Sequence, residues 1–198
     1  MFIRVFPRTE NVAEEFIEHF KTTYLMIILI TGGQRSGKSA YAEQRALSLS
    51  DSPVYIATAH VGDDEFARRV EAHRRRRGDK WTTIEEERFL SRHHIYNKVV
   101  LIDCVTLWCS NFLFNAEDGS MLSVDEALQA VKREFDLFTS RQGIFIFVTN
   151  EIGWGGVSPD AVQRRFTDLQ GSVNQYIASR ADEVVLVVSG IAMKLKDG

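Results

Sequence analysis

Cysteine is scarce in this chain: only Cys104 and Cys109 occur in 198 residues. Their spacing, with no histidine pair nearby, fits neither a zinc knuckle nor a disulfide framework. It predicts two small packed hydrophobes in a reducing cytoplasm. Long apolar runs are also missing. The longest are about half of what spans a bilayer, so no membrane insertion is expected. The opening "MFIRVFPRTENVAEEF" lacks the apolar block and small-residue cleavage site of a secretory signal. An excess of one charge is lacking too. The 24 basic and 27 acidic residues leave a net charge of −3, which creates no global pull toward nucleic acid or anionic lipid. No internal repeat or low-complexity linker interrupts the chain. What remains is 44% hydrophobic and 26% charged, an ordinary globular profile at a length that suits one domain with a sizeable core.

The apolar residues are organised in short bursts. "MIILIT" (26–31), "PVYIAT" (53–58), "VVLIDC" (99–104), "IFIFVT" (144–149) and "VVLVV" (184–188) are apolar at nearly every position rather than at alternate ones. Strands buried on both faces require that pattern. Helical patterns follow them at roughly 38–50, 63–77, 106–115, 123–140 and 159–180. In the last, Ser158, Pro159 and Asp160 supply a cap, a first-turn proline and an early acid. Its apolar positions Val162, Phe166, Leu169, Val173 and Ile177 keep a 3.6-residue period. Strands alternating with helices predict an α/β fold: a mostly parallel sheet with helices on both faces. The polar stretch 81–97 is the least regular part. Ahead of the domain, Asn11 and Glu14 read as a helix start, followed by Val12, Phe16, Phe20 and Tyr24 at helical spacing. Residues 1–25 are therefore an extension carrying a short amphipathic helix, with the catalytic domain over 26–198. Alternatively, Met26 is the natural start.

Gly32, Gly37, Lys38 and Ser39 match G-x-x-x-x-G-K-[ST] in full, between a buried strand and a helix. Glycine lets the backbone curl until successive N–H groups face phosphate oxygens, and the helix N-terminus adds its dipole. Lys38 reaches the terminal phosphates, and the Ser39 hydroxyl can ligate Mg²⁺. Asp103 ends the run "VVLID", where an acid lies beside a metal-bound nucleotide; the alternative is a helix cap. A second constellation is "DDEFARRVEAHRRRR". Phe66, Val70 and His73 share one helical face, and Arg74, Arg75, Arg76 and Arg77 follow. A packed histidine and a solvated basic helix end explain this as readily as function does. The functional alternative makes His73 a nucleophile on a nucleotide α-phosphorus, with guanidinium groups stabilising the charge that develops.

The ordered set "TGGQRSGKS", "YIATAH", "DDEFARRVEAHRRRR", "WTTIEE", "LIDCVTLWCSN", "TNEIGWGGVSP" and "VNQYIASRADEVVLVVSGIAMKLK" closely resembles the bifunctional adenosylcobinamide kinase / adenosylcobinamide-phosphate guanylyltransferase family of cobalamin biosynthesis. The likeness runs from Met26 to the C-terminus. It implies a RecA-like P-loop domain assembled as a homotrimer. It further implies phosphorylation of adenosylcobinamide by ATP or GTP, then transfer of GMP from GTP to the adenosylcobinamide phosphate. His73 matches the family's guanylylated histidine. Gly32, Gly33, Gln34, Arg35, Ser36, Gly37, Lys38 and Ser39 match its phosphate loop, and Ser39 and Asp103 would hold Mg²⁺. Thr58, Ala59, His60, Arg74 to Arg77, Glu85 and Asp103 match its GTP contacts. Some relatives carry glutamate at the Asp103 position, and the tail "VVSGIAMKLK" departs from the family's proline-bearing pattern. Two rivals stand beside this reading. One is a single-activity small-molecule kinase with a structural His73. The other is a RecA-like ATPase that binds nucleic acid through Arg74–Arg77, which the acidic net charge and the scarcity of stacking aromatics disfavour.

Among the remaining polar residues, Glu151 reads equally as a general base or as a carboxylate holding a glycine-rich turn. Trp154 suits a corrin ring or a subunit contact, and His93 and His94 read as surface residues.

Overall fold

The structure is a computed structural model and describes residues 25–59, 78–115 and 118–197. Its centre is a seven-stranded sheet built from β1 (Leu25–Thr31), β2 (Val54–Ala57), β3 (Thr82–Glu85), β4 (Val99–Asp103), β5 (Gly143–Val148), β6 (Glu183–Val188) and β7 (Ile191–Lys196). The strands lie in the order β3-β2-β4-β5-β1-β6-β7, and every pairing is parallel except β6 with β7. The helices are α1 (Lys38–Leu49), α2 (Val105–Leu113), α3 (Val124–Thr139) and α4 (Ala161–Arg180). The α/β class and the mostly parallel, doubly covered sheet are as the sequence predicts.

Continuous apolar runs form the central strands because both faces are covered. Alternate residues Ile27 and Leu29 of β1, Val100 and Ile102 of β4, and Phe145 and Phe147 of β5 join one core with α2, α3 and α4. The intervening residues Ile28 and Ile30, Leu101, and Ile146 and Val148 join a second core, where Ala42 and Ala46 of α1 pack. Small residues on that helix let it approach the sheet closely. On the opposite side α3 presents Ala127, Val131, Phe135 and Phe138 at helical spacing. Phe135 packs tilted against Phe147 and Phe138 edge-on against Phe145, with ring centroids 5.1 and 4.9 Å apart. Ser123 opens α3 with a full capping box to Glu126.

Three expectations shift. The sequence shows five strands and the sheet has seven, because β3 and β7 are exposed edge strands without the continuous apolar signature. The cap of α4 is Asp160, which accepts from the Gln163 N–H at 2.7 Å, rather than Ser158. Proline 159 precedes the helix instead of opening it. Within α4, Leu169, Val173 and Ile177 are fully buried while Val162 is exposed, so the first turn of the helix runs past the core. The predicted helices over 11–24 and 63–77 lie outside the described residues.

Candidate functional site

Parallel pairing brings the carboxyl ends of the central strands into register. Glu85, Ala57, Asp103 and Val148 form one row across β3, β2, β4 and β5. Ile30 continues that row on β1, one residue before Thr31 and the glycine loop. Residues separated by more than 100 positions in the chain therefore share one edge, and open parallel sheets bind their ligands at that edge.

The loop leaves β1 and enters α1 through Gly37, which has a φ of 96° and caps the helix without any side-chain bond. With no side chain filling the N-terminus, its N–H groups are left for an anion. Lys38 is buried, and its Nζ donates to the Gly33 carbonyl at 3.2 Å, folding the ammonium over the loop. Burial lowers its pKa, opposed by the acidic groups of Cys104 and Asp103. The Cys104 thiol is itself raised to about 11, by burial first and then by Asp103. It is neutral at physiological pH, so the carboxylate of Asp103 supplies the countercharge. Asp103 is half-buried, and its Oδ2 accepts from the Tyr55 hydroxyl at 3.0 Å. It does not cap α2, which begins after Cys104. Both cysteines are free and buried, as expected.

The loop is also gripped from the far side. The turn between β6 and β7 uses Ser189 and Gly190, both with positive φ, and these two residues close a tight hairpin. The Gly190 N–H donates to the Ser36 carbonyl at 2.7 Å. The divergent tail thus forms a strand hairpin that braces the phosphate loop. The space is close: a Cβ on Gly32 would stand 2.3 Å from the Val187 carbonyl oxygen. Gly32→Ala must therefore displace either β6 or the loop. Nucleotide affinity is expected to fall at least ~10-fold, as measured by titration calorimetry, with little change in far-ultraviolet dichroism.

Thr58 is fully buried. Its hydroxyl donates to the Cys104 carbonyl and accepts from the Cys104 N–H, both at 2.8 Å. Asn111 Nδ2 donates to the Thr58 and Glu87 carbonyls at 2.7 and 2.9 Å. Thr58 thus ties the end of β2 to the end of β4. Ala59 is half-buried beside it, and Glu85 is exposed at the end of β3. Gly33, Gln34, Arg35 and Gly37 are exposed along the loop, and Ser39 is half-buried at the start of α1. His60, His73 and Arg74 to Arg77 lie outside the described residues. Trp154 is 73% exposed on a short turn. His94 is exposed, but His93 is not a free surface residue, since its Nε2 lies 3.2 Å from Glu86.

The structure adds residues that spacing alone misses: Tyr55, Asn111 and a buried polar chain, Thr149, Gln170 and Asn174. The signal for the last two was polar positions on an otherwise apolar helix face. For the β6–β7 hairpin, the signal was "SG" between two apolar runs.

The donor set has hard oxygens at Ser39 and Asp103, an ammonium over the loop, and the Ser36 hydroxyl buried with no partner among the described residues. Such a set fits a triphosphate with Mg²⁺. A family model described as "Cobinamide kinase / cobinamide phosphate guanyltransferase" matches residues 28–195. This chain belongs to that family. The bifunctional adenosylcobalamin biosynthesis protein CobU of Escherichia coli (strain K12) is 39% identical over 182 residues, covering 86% of this chain and 100% of the relative. The bifunctional adenosylcobalamin biosynthesis protein CobP of Pseudomonas aeruginosa is 38% identical over 172 residues, covering 85% of this chain and 96% of the relative. Among solved structures, the flagellar accessory protein FlaH from Methanocaldococcus jannaschii superposes with a TM-score of 0.47 at 18% identity, covering 89% of this chain and 80% of that one. As a cobinamide kinase / cobinamide phosphate guanyltransferase, the chain uses a nucleoside triphosphate. Among the described residues no helix is long and apolar enough to cross a membrane.

Proposed function

We propose that this protein phosphorylates adenosylcobinamide with ATP or GTP, and then transfers GMP from GTP to adenosylcobinamide phosphate by way of a guanylylated His73, giving adenosylcobinamide-GDP. The observation that carries the reading is the phosphate loop closed over by Lys38, at the sheet edge where Asp103 and Glu85 also end, in a chain of this family.

In the kinase step Lys38 neutralises charge on the terminal phosphates, and the loop N–H groups orient them. Ser39 and Asp103 would hold Mg²⁺, which when bound offsets phosphate charge. In the guanylyl step the His73 imidazole attacks the α-phosphorus and pyrophosphate leaves. Arg74 to Arg77 then stabilise the developing charge with forked donors. Finally an oxygen of the substrate phosphate bonds to the GMP phosphorus, the phosphorus–nitrogen bond breaks, and the His73 imidazole leaves. Thr58, Ala59, His60 and Glu85 line the nucleotide in this reading. Free buried thiols suit the cytoplasm as the compartment, and the family resemblance supports a homotrimer.

GTP labelled at the α-phosphorus tests the transferase. An acid-labile, alkali-stable adduct on the intact protein is the expected result. Absence of any adduct would leave only the kinase.

A further inference from the structure

A buried polar chain crosses the apolar interface between α4 and the sheet. Thr149 and Gln170 are fully buried, and Asn174 and Thr31 nearly so. The Thr149 hydroxyl donates to Asn174 Oδ1 at 2.7 Å, and Gln170 Nε2 donates to the same oxygen at 2.8 Å. Two donors on Oδ1 fix which way the Asn174 amide faces. Its Nδ2 is thereby aimed outward, at the Asn150 carbonyl (3.2 Å) and at Glu151 Oε1 (3.3 Å). Thr31 donates to the same Oε1 at 2.8 Å from the last position of β1. The Glu151 N–H donates to the Gly32 carbonyl at 3.1 Å, which ties this residue to the first glycine of the phosphate loop.

Buried polar groups are costly unless paired; Gln170 Oε1 has no partner among the described residues, but the bonds that are made hold the Asn174 amide in one geometry. This network terminates in a single half-buried carboxylate at the phosphate edge. Oε1 is held by two side chains, while Oε2 has no hydrogen-bond partner among the described residues. Glu151 follows β5, which lies between β4 with Asp103 and β1 with the loop. A carboxylate that only braced its own turn would bond to that turn. Here the turn from Gly153 to Gly155 receives no bond from it, and the carboxylate is aimed from the core instead.

We propose that Glu151 is the proton acceptor of the kinase step, with Thr31 and Asn174 as the residues that position it. The proposal rests on the functional reading above. The hydroxyl proton of the cobinamide side chain passes to Glu151 Oε2 as the hydroxyl oxygen bonds to the γ-phosphorus. The bond from that phosphorus to the β–γ bridging oxygen breaks, and its electron pair leaves with the nucleoside diphosphate. A general base must lie within hydrogen-bond reach of the proton it takes, and a pinned carboxylate with one free oxygen meets that condition without reorganising.

The test is Glu151→Gln in the full chain, with the two steps assayed separately: adenosylcobinamide with ATP, and preformed adenosylcobinamide phosphate with GTP. Glutamine still accepts from Thr31 and Asn174 through its carbonyl, but takes no proton. The expected result is a kinase kcat lowered by about 100-fold with the nucleotide KM nearly unchanged. The guanylyl step removes no alcohol proton and is expected to fall far less. Glu151→Asp should recover part of the kinase rate. A kinase rate within about 3-fold of the unaltered protein, or an equal fall in both steps, overturns the proposal. Failure of the unaltered protein to make adenosylcobinamide phosphate instead overturns the functional reading, and this proposal with it.

Discussion

Lys38→Met is expected to lower kcat/KM by about 10³-fold in both the kinase and the guanylyl step, because both draw on the same triphosphate cradle. The ammonium is buried and directed back over the loop, where the exposed Arg35 side chain does not share its burial. Methionine keeps the length and apolar character of the stem, and thermal unfolding should change little. The loss is therefore one of charge at the phosphates rather than of fold. Steady-state rates with each substrate check it. More than about a tenth of the activity surviving would mean that the phosphates are held elsewhere. The pH dependence has a definite sign. Burial lowers the Lys38 pKa, with the nearby acidic groups opposing it, so the charged form is lost at a lower pH than for a surface lysine. Nucleotide affinity should therefore decline on the alkaline side, at a lower pH than a surface lysine would give.

His73→Ala is expected to remove the α-phosphorus adduct altogether and to lower guanylyl transfer by roughly 10⁴-fold or more, since no other group would carry GMP. Adenosylcobinamide phosphate should still accumulate, because the residues proposed for the kinase step are Lys38, Ser39, Asp103 and Glu151, not His73. The pattern of one step lost and the other kept separates this account from its rivals. A single-activity kinase with a structural His73 would form no adduct even before substitution. A nucleic-acid-dependent ATPase would show rates that rise with added strands and binding that collapses steeply with salt. Liquid chromatography of the corrinoid products, beside autoradiography of the protein, reads both steps in one reaction. An adduct persisting in His73→Ala would move the nucleophile to another residue.

The two largest effects differ in where they come from. In the proposed function Lys38 works through a charge held in place by neighbours, so its effect depends on its burial and on the loop conformation. In that same proposed function His73 works through covalent chemistry, which depends on the imidazole itself. Glu151 stands between these cases. Its chemistry is ordinary for a carboxylate, and its standing as a base comes from the polar chain that aims it. Asn174 illustrates the point: its amide is oriented by Thr149 and Gln170, 25 and 4 residues away in the chain.

Much of the molecule was legible in one dimension. The five central strands announced themselves because burial on both faces demands apolar residues at every position. The phosphate loop was legible because its requirements are local: glycine where the backbone curls, lysine at the first helical position, and a strand and a helix on either side. The ordered motifs gave the family, which the matched model bears out. The edge strands β3 and β7 were not legible, since an exposed strand lacks the pattern that burial imposes. Nor was the shift of the α4 cap to Asp160, because serine and aspartate are both good caps and only backbone geometry chooses between them.

By itself, then, the sequence determined the α/β class, the phosphate loop and the family, and through the family resemblance it pointed to candidate roles for Lys38, Asp103 and His73; all of these depend on residues adjacent in the chain or on an ordered set of short motifs. Only the tertiary structure decided that Glu85, Ala57, Asp103 and Val148 end in one row, that the Ser189–Gly190 hairpin braces the loop, and that Thr31 meets Glu151 across 120 residues. The reason is physical. Strand order and register are set by the packing of whole elements, and no local pattern encodes which distant carboxylate a buried amide will face.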